Sequence, residues 1–278
     1  MHSSSSTRTI HKDGLGTLKV PSITKEYLQK VTIVGCHLHQ WQGVGEEGLL
    51  RVIQKNGAIQ LDPLNPAGRN HDLFFLARIP DYKIGQFESV CYPNKRVFES
   101  YFSFLCAISR EFFPYFYCKY DILYLDKYTR PAIEKFNKNL PGVLDAVLEY
   151  VQEHGPIRGQ DLAHLGKANP EFASWKSSRV SGTALEYLWR LGKLAIVQRD
   201  KNFRKVYGTM DEYFDPSELV KKDYNEAELM LHKFFIRFKS FPVLIARISK
   251  KGVVESRNKW LIRFQFPLEE LLQNQEKS

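Results

Sequence analysis

Between Gln60 and His71 the chain places an amide, a carboxylate, a guanidinium and an imidazole: Gln60 and Asp62 in Ala58-Ile59-Gln60-Leu61-Asp62-Pro63-Leu64-Asn65, then Arg69 and His71 in Gly68-Arg69-Asn70-His71. A carboxylate beside an amide can hold and deprotonate a water molecule, and the cationic groups can grip an anion. If Ala58 to Asp62 is extended, the two-residue period sends Ile59 and Leu61 to one face and Gln60 and Asp62 together to the other. Pro63 cannot donate to a ladder and turns Asp62 away from helical geometry, so the strand should stop with the carboxylate at its end. The plain alternative is that Asp62-Pro63 and Asn65-Pro66 only form turns, because Asp and Asn readily bond their own backbone there.

Several elements must position these groups. Ser22 or Thr24 can cap a helix through Tyr27, Leu28, Val31 and Val34, and a second helix through Leu49, Leu50, Val52 and Ile53 should end at Gly57. Leu73 to Ala77 fits a third helical stretch, broken at Ile79-Pro80-Asp81-Tyr82. Helix, turn, helix, strand is the front half of a winged-helix unit. Residues 97 to 128 are the most aromatic part of the chain, and their helical spacing reads as an aromatic core stripe rather than a base-stacking platform, with one or two exposed Tyr excepted.

The pattern is clearer beyond Pro141-Gly142. Val143, Val147 and Val151 form a helical stripe stopped by Gly155-Pro156, another helix starts at Gln160, and a third runs from near Ser178 to Gly192. Leu194 to Arg199 and Phe203 to Tyr207 are then strands joined by Asp200-Lys201-Asn202. Three helices and a hairpin make a winged helix. Lys176 and Arg179 stand at the start of its third helix, and Arg199, Lys201, Arg204 and Lys205 on its hairpin, where such a unit touches DNA. Past Asp223, Ala227, Leu231 and Phe235 give one more helix, followed by short elements.

The fold class expected is mainly α with small β-hairpins (α+β), built as tandem winged-helix units. Residues 1–21 read as a flexible tail and 22–140 as a first winged-helix-like unit with an aromatic helical extension carrying the Gln-x-Asp site. Residues 141–215 read as a second winged helix and 216–278 as a partial third or a packing segment.

With 278 residues, 43% hydrophobic and 13% aromatic, the chain can fill substantial cores. A net charge of +9 favours a polyanionic partner, nucleic acid before membrane. No apolar run is long enough to span a bilayer and no secretory signal is visible. Cys36, Cys91, Cys106 and Cys118 lack metal-ligand spacing and read as buried thiols of the cytoplasm, and Cys36-His37-Leu38-His39 has no matched second pair, so no metal is expected.

Taken together, the run from Ala58 to Asn65, Arg69 and His71, Phe98-Glu99 and the winged helix near residues 142–210 resemble the AlkZ and YcaQ group of bacterial DNA glycosylases, over roughly residues 22–215. Gln60 and Asp62 match that family's Gln-x-Asp type of active-site pair. The resemblance implies tandem winged helices around duplex DNA and a C-terminal β-barrel. It also implies removal of bulky or N7-alkylated purines, in some cases with unhooking of interstrand crosslinks. The chain departs from the family pattern in having Ser103 near the place where a His is usual after Phe-Glu, and it is expected to stop at Ser278 short of a complete third winged helix and the barrel. An N7-alkylated guanine is already cationic and leaves as a neutral base, so the burden falls on the positive charge left on the sugar and on aiming water. Asp62 would do both, Gln60 would orient water or the lesion nucleotide, Arg69 would hold a phosphate, and His71 and Asn65 would contact the backbone. Neither a metal, a cofactor nor a lysine nucleophile is needed, and an abasic site would result. The partner is duplex DNA, alkylated or crosslinked, met by a cytoplasmic, nucleoid-associated monomer. The competing readings are a non-catalytic winged-helix regulator and an inactive, truncated glycosylase homologue.

Overall fold

A computed structural model describes residues 7–12, 15–21, 25–102, 104–120, 128–168, 170, 174, 176–240, 247–248, 254–255 and 261–262. The chain divides into two compact units, residues 33–240 and residues 1–32 with 241–278. Among the described residues the protein is helical with small antiparallel sheets, the α+β class expected. No described helix is long and apolar enough to cross a membrane.

In the smaller unit, β1 (Thr7–Lys12) and β2 (Leu15–Pro21) pair antiparallel, so the stretch expected to be a loose tail contains a hairpin. Alternation through Thr9-Ile10 and Thr17-Leu18-Lys19-Val20 gives both strands the two-residue period that the serine-rich start obscures. The helix α1 (Lys25–Gly35) follows.

The first helix wholly within the larger unit is α2 (Gly45–Asn56), whose Glu46 and Glu47 lie in the first turn and Lys55 in the last, complementing the helix dipole. Gly57 ends it in a positive-φ conformation (φ 73°), its N–H bonded to the Ile53 carbonyl. A side chain at Gly57 would also crowd the Phe112 ring, its Cβ falling 3.3 Å away. The strand β3 (Ala58–Gln60) follows directly, then α3 (Asn70–Leu76) and α4 (Gln86–Cys91).

The aromatic stretch differs from its helical reading. Val97–Tyr101 (β4) and Leu105–Ser109 (β5) are strands, and only after a 3-10 turn at Arg110–Phe112 does the short helix α5 (Phe113–Tyr117) begin. The sheet order is β3-β5-β4, with Ala58 opposite Ile108 and Ile108 opposite Phe98. A short apolar run is compatible with either period, and pairing to β3 decides it. One face of this sheet sends Ile59, Leu61, Ala107 and Val97 into the core shared with α2. The other sends Ala58, Ile108 and Phe98 against Phe112, Phe113, Phe116 and Ile236, the last from α11 (Glu226–Ser240).

Between these lie α6 (Thr129–Asn139), then α7 (Val143–His154), α8 (Gly159–Ala168) and α9 (Ser178–Arg190), and the hairpin β6 (Leu194–Arg199) and β7 (Lys205–Thr209). Boundaries and order match the sequence reading closely because Gly155-Pro156 and Gly192 punctuate strong stripes: Val147, Val151, Leu162, Ala184 and Leu185 are all buried. Ile157 bridges to Tyr207 and so adds a third extended segment beside the hairpin. Asp200 organises the turn, its carboxylate accepting from the backbone N–H groups of Asn202 and Arg204, both at 2.9 Å. The short helix α10 (Met210–Tyr213) precedes α11, which packs on α2 and β3. Paired two-residue strands β8 (Arg247–Ile248), β9 (Val254–Glu255) and β10 (Leu261–Ile262) belong to the smaller unit.

Candidate active site at the open end of the central sheet

Strand alternation places Gln60 on the same face as Ala58, in one row with Cys106 of β5 and Ser100 of β4. The row beneath it is Ala58, Ile108 and Phe98, all buried. Toward Gln60 the face turns from apolar to polar. Gln60 is half-buried, and its side-chain amide has no hydrogen-bond partner among the described residues. Its carbonyl accepts from the Asn70 side chain at 3.1 Å, which ties the start of α3 to the strand. Burial pushes the Cys106 thiol up to about 12, so it is an uncharged neighbour of the amide.

Asp62 lies just past the last ladder pair, with Leu61 still donating its N–H to the Leu105 carbonyl at 2.8 Å. One Asp62 oxygen accepts from the Leu64 N–H at 2.9 Å, the turn bond that the composition of this loop allows. That bond fixes the carboxylate's orientation, and the second oxygen has no partner among the described residues. Turn formation and chemical availability therefore coexist in one side chain. Asn65 is exposed in the same loop.

His71 is not on the surface. The ring is fully buried, bonded through Nε2 to Glu88 at 2.8 Å and stacked on Phe203 with centroids 4.9 Å apart. Burial alone would raise the Glu88 carboxyl, but the His71 hydrogen bond and charge hold it below the ordinary range. A backbone-contacting role for His71 is thereby corrected to an internal one. His71, Asp72 and Glu88 are the one group among the described residues compact enough to hold a cation. Three of their atoms are hydrogen-bonded, His71 Nε2 to Glu88 and one Asp72 oxygen to the Tyr82 hydroxyl at 2.7 Å. Two buried atoms, His71 Nδ1 and the second Glu88 oxygen, have no hydrogen-bond partner among the described residues.

Phe203 links this loop to the β6–β7 hairpin. Its backbone is left-handed (φ 64°), a conformation costing a bulky residue about 1–3 kcal/mol, and its ring is buried. The compensation is visible around the ring: Arg69 lies over it at 4.3 Å, Arg199 at 4.1 Å, and His71 stacks on it. Phe203→Ala is expected to destabilise the protein by about 3 kcal/mol or more in urea unfolding. A change below roughly 0.5 kcal/mol would show that the ring does not anchor the hairpin.

Arg199, expected on the basic hairpin surface, is turned inward. It forms a two-pronged ion pair with Glu99, at 2.7 and 2.5 Å, with side-chain exposures of 5% and 0% that leave no room for a phosphate. Tyr92 donates its hydroxyl to the same carboxylate. Burial alone would lower the Arg199 pKa, but Glu99 outweighs it and raises it. Lys205 is likewise drawn in, 2.7 Å from Glu186 and over the Trp189 ring at 3.9 Å. Lys176, Arg179, Lys201 and Arg204 are exposed, Arg204 bonding the Gln160 side chain.

The sequence reading overlooked Glu88, which lies 17 residues from its partner with no motif to connect them, and Phe203, which looked like an ordinary strand residue. Only the proximity of Phe98-Glu99 to the resemblance hinted at Glu99. No curated protein and no solved structure matches this chain. A family model described as DNA glycosylase AlkZ-like matches residues 53–235, which takes in Gln60, Asp62, the central sheet and the three-helix unit with its hairpin, and the chain belongs to that family.

Proposed function

We propose that this protein is a monofunctional DNA glycosylase that hydrolyses the N-glycosidic bond of bulky or N7-alkylated purines, with Asp62 and Gln60 as its catalytic residues. The observation that carries the proposal is the pairing of an Asp62 carboxylate with one oxygen pinned by the Leu64 N–H and a Gln60 amide, neither the second oxygen nor the amide having a partner among the described residues, at the end of a sheet in an AlkZ-like chain. A water held by the free oxygen can be deprotonated as it attacks the anomeric carbon, and the carboxylate offsets the oxocarbenium-like charge. The glycosidic electron pair leaves with the base, which an N7 alkyl group has already made cationic. The Gln60 amide, both donor and acceptor, aims the water or the nucleotide. The exposed surroundings, with Leu64 at 70%, suit a base that stays tethered to the opposite strand better than an enclosed pocket would, and this supports crosslink unhooking.

The order α7, α8, α9, β6, β7, with Ile157 bridging to the hairpin, supports a winged-helix reading of residues 143–209. Its DNA-facing cations would be Lys176, Arg179, Lys201 and Arg204, with Arg69 and Asn65 nearer the lesion. Replacing Lys176, Arg179 and Lys201 by Gln is expected to reduce the slope of log affinity against log salt by about 2 to 3 without changing sequence preference. An unchanged slope would remove these residues from the interface. The proposed setting is the cytoplasm, on the nucleoid, as a monomer.

The deciding experiment is incubation of the full chain with duplex DNA carrying N7-methylguanine, scoring free base and strand breaks separately. Base release that leaves an uncut abasic strand is the expected result. Salt-sensitive duplex binding without release would favour the non-catalytic binding reading, to which Ser103 in place of the family's usual His points.

A further inference from the structure

Two exposed apolar side chains belong to the segments that continue the sheet at Asp62. Leu64, 70% exposed, supplies the N–H that pins the carboxylate. Phe104, 63% exposed, occupies the connection between β4 and β5. The antiparallel register runs Ala58 with Ile108 and Gln60 with Cys106, and Leu61 then bonds Leu105, so the next positions reached are Asp62 and Phe104. Paired positions in an antiparallel ladder share a face, and the Gln60 row is therefore continued by Phe104. Farther along this face the side chains are buried, with Phe98 at 3% and Ile108 at 0%. The Phe104 ring is left largely in solvent, 63% exposed, at the end of the sheet that Gln60 and Asp62 occupy.

We propose that Phe104, with Leu64 as the opposite rim, is the stacking surface for the purine presented to Asp62. This rests on the glycosylase reading for its ligand, but the stacking surface itself can be tested without turnover. A flat π-surface recognises any nucleobase, and a cationic N7-alkylpurine ring, being electron-poor, is held more tightly than a neutral one. The ring would hold the base while Asp62 addresses the sugar, so Phe104 acts as a specificity and positioning residue in contact with substrate.

The test combines removal of the ring with removal of the base. Affinity is measured for the full chain carrying Asp62→Asn, with and without Phe104→Ala, on a duplex with N7-methylguanine and on the same duplex with a stable abasic analogue at that position. Phe104→Ala is expected to weaken binding to the lesion duplex by roughly 10- to 100-fold, the range that base–aromatic stacking supports, and to the abasic duplex by less than about 3-fold. Phe104→Trp should retain the parent affinity. Equal losses on both duplexes, or none on either, would overturn the proposal, as would a chain that binds neither. Because Phe104 is exposed, the variants keep the core intact. If the parent releases no base from the lesion duplex yet the ring–base coupling is present, the glycosylase reading falls and the stacking surface stands.

Discussion

Asp62→Asn is expected to slow base release by on the order of 100-fold or more, the effect usual for loss of a positioned general base, while duplex affinity changes little. Asparagine is the informative replacement because its side-chain oxygen can still accept from the Leu64 N–H, so the turn at residues 62–64 is preserved and only the charge is lost. A single-turnover rate on N7-methylguanine DNA therefore isolates the electrostatic and base-catalytic contribution from folding. Gln60→Ala should cost less, roughly 10-fold, since it removes one or two neutral hydrogen bonds to water or nucleotide. A variant Asp62→Asn that releases base at the parent rate would leave Asp62 as a turn former and nothing more.

Arg199→Leu should destabilise the protein by about 3–5 kcal/mol, read from urea unfolding, because it strands the Glu99 carboxylate in the core with the Tyr92 hydroxyl as its remaining side-chain hydrogen-bond donor among the described residues. The pair itself contributes much less than this loss implies. Glu99→Leu combined with Arg199→Leu removes both charges and should recover most of the stability, so the double variant carries the comparison even if the single one accumulates poorly. The same measurements separate a structural arginine from a DNA-contacting one. If Arg199 is internal, the double variant retains the parent's salt slope of DNA binding, whereas an arginine on phosphate would reduce that slope by about 1. Stability within about 0.5 kcal/mol of the parent in the single variant would contradict the burial of the Arg199–Glu99 pair.

Much was legible in the sequence wherever the signal was local. The stop at Gly57, the strand that begins at Ala58, the helices from Val143 to Arg190 and the hairpin around Asp200 follow from backbone freedom, side-chain period and turn chemistry within a few residues of each position. The Gln-x-Asp run was likewise a local signature, and the family it points to is the one the chain belongs to. Tertiary structure decided what depends on residues far apart in the chain. Whether Val97 to Ser109 became helix or hairpin depended on pairing with Ala58 to Gln60. Whether a cation faced water or the core depended on a carboxylate elsewhere: Arg199 found Glu99 a hundred residues away, and Lys205 found Glu186 on α9. His71 went inward because Glu88 and Phe203 together offered a bond and a stacking partner. Charge and aromaticity name what a side chain can do, but its direction is set by the lower free energy of pairing a buried polar group over leaving it alone, and that partner is fixed only by the fold.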